Sequence, residues 1–546
     1  MNRLPSHTII LTAGLLAFIL LLVPFMETVP LWDAGWYNAC LLNATEAKFH
    51  LRNFNCVGHT SIGYMLLLAI GQYLDFGNMM LLHGTNIVLW YLAVLSFYGI
   101  LRTLWSDKQL QEEQALLTIA LLFMPTISAN LLHLNLDFGV LVFVLPTIFF
   151  LITAQFHYSA LTGTLMVFSK ETGAALYVVV LVALALAVLK TRQIPFFKSL
   201  YKASFIVAPL GLYGARIMYR ILRAPELNIF YTEEGLNFQE KPLLQMAFDL
   251  NVFDPSFRAY LIDVFILQFH WIFTLGIVVG LFVILAQAHF GHKIDESDHN
   301  HSDRAQNLFF APNVFVSLLF LGTLYLLTRH RPFNHVRYLL CILPMFLMIF
   351  HAVSIHGLRP QVRRSAIWLS IFLFVGSSVS TFDPVSKYLI GTFQFGERSL
   401  LNMSSAFFVP NALHSAGFNR DELVYNLEYT KILDLTDAIF RDMDLDGKKT
   451  FMGSVGSRFF WPGLVDETTR RRTAKRISVF KPHYFEDVAE FSHVVDKPET
   501  LYYLEFPNMV TPAQLPLLRE WYEYVDTRSY TVSGYALNVH VFKHRI

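Results

Sequence analysis

Apolar runs recur along the first 381 residues at lengths that match a lipid bilayer. A helix needs roughly 20 apolar residues to cross about 30 Å of hydrocarbon. Such runs occur near 9–27, 80–101, 115–132, 138–155, 173–190, 203–222, 264–288, 308–327, 338–356 and 366–381, with two shorter stretches at 59–74 and 158–169. After about residue 420 the pattern changes. Thr450–Val455, Tyr502–Phe506 and Leu537–Phe542 read as strands, and 421–443 and 513–524 read as helices. The predicted fold is mainly α: a polytopic membrane helical bundle over 1–381, a linker over 382–419 and a small α/β domain over 420–546.

Composition sharpens this reading. The chain is 54% hydrophobic and 15% charged, whereas a soluble protein carries about a quarter of its residues as charges. A net charge of +1 leaves no basic field for nucleic acid. Arg3 precedes an apolar run from Ile9 to Met26 that exceeds a signal h-region and has no small-residue cleavage motif after it. It reads as a retained first helix with the N-terminus in the cytoplasm. Three cysteines exclude a disulfide scaffold and a cysteine-based zinc site. Cys40 and Cys56 share the first loop, as free thiols or, outside the cytoplasm, as a disulfide.

Charge placement sets the expected topology. Lys190, Arg192, Lys198 and Lys202 mark one cytoplasmic loop, and Arg359, Arg363 and Arg364 another. Counting from these anchors makes 59–74 an interfacial helix within a long outer loop, 28–79, and makes 158–169 a short or tilted crossing. About eleven crossings result, with the C-terminal domain outside. The segment 289–307, rich in His and Asp, reads as a solvated linker.

The outer face then collects the residues that could carry chemistry. Asp33 lies in Leu31-Trp32-Asp33-Ala34-Gly35-Trp36-Tyr37 beyond the first helix. It is placed to cap an interfacial helix within an aromatic belt or to act as an acid where lipid-linked and water-soluble substrates meet, and the two roles are compatible. Asp137, in His133-Leu134-Asn135-Leu136-Asp137, is either a cap or a second acid in the same cleft. Two such acids could serve as base and partner or bind a divalent cation. Lys170 and Glu171 sit so close to the bilayer that they line a polar cavity or snorkel to the surface. Arg216, Arg220 and Arg223 share one helix face, and Arg329, Arg331, His335 and Arg337 crowd a later outer turn. Guanidinium forks suit phosphate, including lipid head groups.

In order, these features are an Asp-bearing first loop, a His-led interfacial helix, an Asp-bearing second loop, the Lys170-Glu171-Thr172-Gly173 turn and a late Arg337-Tyr338-Leu339-Leu340. The set resembles the GT-C glycosyltransferases of the protein O-mannosyltransferase and aminoarabinose lipid A transferase type over about 1–345. The resemblance implies roles for particular positions. Asp33 and Asp137 would be the catalytic acids. Lys170, Arg216, Arg220, Arg331 and Arg337 would hold the donor phosphate, and His59, Glu171 and Tyr338 would position substrate. His59-Thr60-Ser61-Ile62-Gly63-Tyr64 stands where family members begin with His-Pro-Pro or Lys-Pro-Pro, and Ala34 follows Asp33 where Glu is frequent.

The implied donor is a polyprenyl-phosphate-linked sugar and the acceptor a glycan, lipid or protein. No cofactor is required, and a divalent cation remains an option. Compact size and short loops point to a bacterial inner membrane. The alternative is a polytopic transporter or lipid flippase, which would carry repeats and a two-sided polar path; a scaffold whose acids are only caps is the other.

Overall fold

The computed structural model describes residues 5–27, several positions between 37 and 45, 61–74, 78–132, 134–191, 200–223, 269–289, 311–328 and 340–379, together with the strands of the C-terminal region and their immediate flanks. The chain divides into two compact units, Met1–Glu27 with Tyr37–Ser378, and Thr28–Trp36 with Val379–Ile546.

The first unit is helical: α1 (Ser6–Leu22), α2 (Ile62–Leu74), α3 (Met79–Leu104), α4 (Gln111–Leu122), α5 (Pro125–Leu132), α6 (Leu136–Ile152), α7 (Phe156–Val167), α8 (Glu171–Thr191), α9 (Leu200–Arg223), α10 (Trp271–His289), α11 (Pro312–Thr328), α12 (Ile342–Gly357) and α13 (Pro360–Val379). Side chains set several boundaries. Asn78 caps α3 by accepting the Leu81 amide at 3.2 Å. Asn135 occupies the N-cap position of α6 without a side-chain capping bond, after a left-handed turn at Leu134 (φ 51°).

Ser6–Phe25, Met79–Leu104 and Glu171–Lys190 are long and apolar enough to cross a membrane unaided. The expected single span at 115–132 is instead two helices bent by 53° at a break before Pro125. Proline lacks the amide needed to continue the α4 ladder and starts a new helix well. The helices α2, α6, α10, α11 and α12 are apolar but shorter. The unit is that of a multi-pass membrane protein. Large apolar side chains such as Leu20, Leu92, Val182, Phe282 and Phe372 face outward, as lipid solvation requires, while α6 is buried almost all round.

Close helix contacts use small residues. A Cβ on Gly357 would overlap the Gly280 backbone, so α12 and α10 meet backbone to backbone there. Helices α6 and α7 form an antiparallel hairpin joined by Thr147 Oγ1 donating to Thr162 Oγ1 at 3.0 Å. Helix α9 runs parallel along α7: the Lys202 ammonium lies 6.0 Å from the Phe156 ring at the start of α7, and the Arg216 guanidinium lies 5.6 Å from the Phe168 ring just past its end.

The second unit contains a short β1–β2 pair (Gln394–Phe395, Arg398–Ser399) and a four-stranded sheet of β3 (Lys449–Gly453), β4 (Thr500–Glu505), β5 (Tyr522–Val532) and β6 (Tyr535–His544), in the order β3-β4-β6-β5. β3 and β4 are parallel and the other pairs antiparallel. Leu501, Tyr503, Leu518, Tyr522 and Phe542 form its core, and burial pushes the Tyr522 phenol well above its ordinary range. One expectation is corrected. Residues 522–524, read as a helix end, open β5, because Tyr522–Val532 pairs residue by residue with β6, apart from one irregularity between Tyr524 and Asp526. The expected helix 421–443 lies almost wholly outside the described residues.

Candidate functional site

Asp137 occupies the first turn of α6, where helix amides favour negative charge. Lys170 immediately precedes α8, after α7 has turned at Phe168 and Ser169. The Lys170 ammonium donates to both carboxylate oxygens of Asp137, at 2.8 Å to Oδ1 and 2.7 Å to Oδ2. Exposure is 7% for Lys170 and 5% for Asp137. A charge this buried is tolerated only when paired and hydrogen-bonded. Thus two residues 33 positions apart, each singled out on its own in the sequence, form one ion pair. Lys170 reaches across to Asp137, one residue before Glu171 opens α8.

Other buried polar side chains gather at this end of the bundle, among them Ser61, Tyr64, Asn86, Asn130, Asn135 and Ser169. The Tyr64 hydroxyl donates to Asn86 Oδ1 at 2.8 Å, and the Asn86 amide donates to the Leu131 carbonyl. Arg216 belongs to the same end, since its guanidinium covers Phe168, two residues before Lys170. Among the described residues no group of three or more His, Cys, Asp and Glu comes together. Asp33, His59, Arg331, Arg337 and Tyr338 lie outside the described residues, as does the side chain of Arg220.

A second buried charge cluster stands at the far end of α3. Arg363 donates from Nε to Glu113 Oε2 at 2.7 Å and from Nη2 to Glu113 Oε1 at 3.1 Å. Its Nη1 donates to the Leu358 carbonyl at 2.9 Å. Arg364 adds a bond to Glu113 at 3.3 Å and pairs with Glu112 at 3.5 Å. Gln114 beside them donates to the Trp105 carbonyl at 2.7 Å. Asn86 at one end of α3 and Leu101 at the other are 15 residues apart, which is roughly 22 Å of helix.

The sequence reading missed Tyr64, Asn86 and Glu113. Asn86, in the middle of an apolar run, was a visible signal, since a buried amide needs partners. Arg363 and Arg364 were read only as topology markers, and their partner Glu113 lies just before the predicted span.

The helical bundle followed by a mixed sheet is a fold that solved membrane-protein structures share. In particular, the chain is similar over nearly its whole length to ArnT from Cupriavidus metallidurans. The crystal structure of that protein in the apo state aligns with a TM-score of 0.52 at 11% identity, covering 98% of each chain. The crystal structure bound to undecaprenyl phosphate aligns at 0.50 and 14% identity, covering 97% of each. The fold therefore matches the resemblance read from the sequence. No family model and no curated protein sequence matches the chain.

Proposed function

We propose that this protein is a membrane glycosyltransferase that moves a sugar from a polyprenyl phosphate to an acceptor hydroxyl or phosphate at the extracytoplasmic face. The observation that carries this reading is the buried Lys170–Asp137 pair, formed at one end of a fold shared with ArnT. The related structure's bound undecaprenyl phosphate supports a lipid phosphate as the donor. Cys40 is disulfide-bonded while Cys341 is a free buried thiol, which supports an oxidising compartment for the first loop.

The chemistry follows from the charges. The bond between the anomeric carbon and the phosphate oxygen breaks, and its electron pair leaves with the polyprenyl phosphate. Arg216 and Lys170 stabilise that charge, with Arg220, Arg331 and Arg337 as further cations, and Asp137 fixes the ammonium of Lys170. The acceptor oxygen attacks from the opposite face with inversion, and Asp33 takes its proton. His59, Glu171 and Tyr338 position the substrates. The reaction so written needs no cofactor, because side-chain cations carry the leaving charge. The compartment is a bacterial inner membrane, with the N-terminus cytoplasmic.

The test is incubation of the purified protein in lipid with radiolabelled polyprenyl-phosphate sugars, following label release and transfer into envelope extracts. Donor is consumed by the native chain, and Asp33→Asn abolishes consumption while the protein remains folded. Absence of consumption with every donor would overturn the enzyme reading. Near-native turnover by Asp33→Asn would remove Asp33 from its role.

A further inference from the structure

Two consecutive residues at the start of α2 touch both segments that carry the ion pair. The Gly63 amide donates to the Phe168 carbonyl at 2.8 Å, two residues before Lys170. A Cβ on Gly63 would overlap the Leu165 carbonyl, so only glycine lets α2 approach the end of α7 so closely. The next residue, Tyr64, is fully buried, and its ring lies against Gly139, two residues after Asp137. A Cβ on Gly139 would stand 2.5 Å from Tyr64 Cγ.

Residue 63 thus rests on the Lys170 segment and residue 64 on the Asp137 segment. The ring is fixed in turn by its hydroxyl. Tyr64 donates to Asn86, and Asn86 donates to the carbonyl of Leu131 at the end of α5, six residues before Asp137. Four segments beside the pair are therefore referenced to Gly63 and Tyr64: α2, α3, the α5–α6 turn and the α7–α8 turn. An ammonium that chelates both oxygens of one carboxylate tolerates little relative movement of its carriers.

We infer that Gly63 and Tyr64, held by Asn86, form a positioning clamp that sets how Lys170 meets Asp137. Tyr64 and Asn86 act through the pair and are positioning residues. The catalytic consequence rests on the function proposed above; the clamp itself does not. The clamp also ties the pair to the start of α2, which follows His59 in the sequence.

The test uses the full chain in lipid. Tyr64→Phe keeps the ring and removes the hydroxyl, whereas Gly139→Ala drives a methyl into the ring. With a radiolabelled polyprenyl-phosphate sugar, Tyr64→Phe lowers kcat about tenfold at unchanged KM for the donor, and Gly139→Ala lowers it about a hundredfold. Thermal unfolding supplies a readout independent of activity. The shift in Tm caused by Tyr64→Phe becomes smaller when Lys170→Met and Asp137→Leu have already removed the pair, because coupled neighbours are non-additive. Strictly additive Tm shifts overturn the clamp, whatever the turnover. Native kcat and KM in both variants, with the native chain active, overturn its catalytic part. If the native chain consumes no donor, the proposed function fails and the unfolding cycle alone decides the clamp.

Discussion

The helical unit buries charge at both ends, and the two ends are built differently. At one, Arg363 reaches Glu113 with two donors and spends a third on the Leu358 carbonyl, while Arg364 adds a bond to the same carboxylate. Planar guanidinium matches planar carboxylate, and the donors go to groups that need them. This is a latch that returns the α12–α13 hairpin to α4. At the other end a single lysine chelates a single aspartate. Lysine holds its partner as a compact charge, with less directional locking than a guanidinium fork. Tight glycine contacts and a tyrosine supply the rigidity that the lysine does not. One pair holds helices together, whereas helices are arranged to hold the other. Under the proposed function, that difference assigns chemistry to the Lys170 end and stability to the Arg363 end.

The sharpest way to break this comparison is to replace each pair by apolar side chains. Buried ion pairs exchanged whole for hydrophobic residues often leave stability unchanged or improved. Lys170→Met with Asp137→Leu should therefore give a folded protein with about a hundredfold or greater loss of transfer. Arg363→Met with Glu113→Leu should give a folded protein with turnover within about twofold of native, the sites being well separated. Transfer assays beside thermal unfolding of both double variants decide it. Equal loss of activity in the two would erase the distinction.

Next in size is the single substitution Arg363→Met. It strands the Glu113 carboxylate, which is 1% exposed, with only Arg364 as a charged partner among the described residues. Breaking one side of a buried pair costs about 3–5 kcal/mol. The lowered stability should recover when Glu113→Leu is added. Failure of the second change to restore the melting temperature would show that Arg363 acts mainly through the Leu358 and Ser354 carbonyls.

Which parts were legible in the sequence follows from the kind of force involved. Apolar runs announced most helices, because lipid demands an unbroken apolar exterior and leaves that demand in local sequence. The break before Pro125 was hidden, since the apolar run continues across it. Asp137 and Lys170 each stood out as costly charges near apolar spans, yet their pairing was not readable, because it depends on how the α5–α6 and α7–α8 turns meet. Glu113 escaped notice for the same reason: its partner lies 250 residues away. Tyr64 is ordinary in an apolar helix until its contact with Gly139 is known. β5 was misread at Tyr522–Tyr524, which follow a turn, since short mixed segments carry both periodicities.

The smallest expected effect tests whether the Arg363 end is structural throughout. Gln114 donates to the Trp105 carbonyl at 2.7 Å and to the Leu101 carbonyl at 3.2 Å, both at the C-terminus of α3. Helix-end carbonyls lack partners within the helix, so the Gln114 amide closes α3 from outside. Gln114→Leu keeps the volume and removes both bonds, which should cost about 1 kcal/mol. Turnover per folded molecule should be native, because α3 transmits no charge change to the Lys170 end. Thermal unfolding and donor consumption measured on the same preparation check both halves. A fall in kcat from so remote a substitution would mean that the two ends are coupled through α3. The Lys170–Asp137 pair could then no longer be treated as a site set by its immediate neighbours alone.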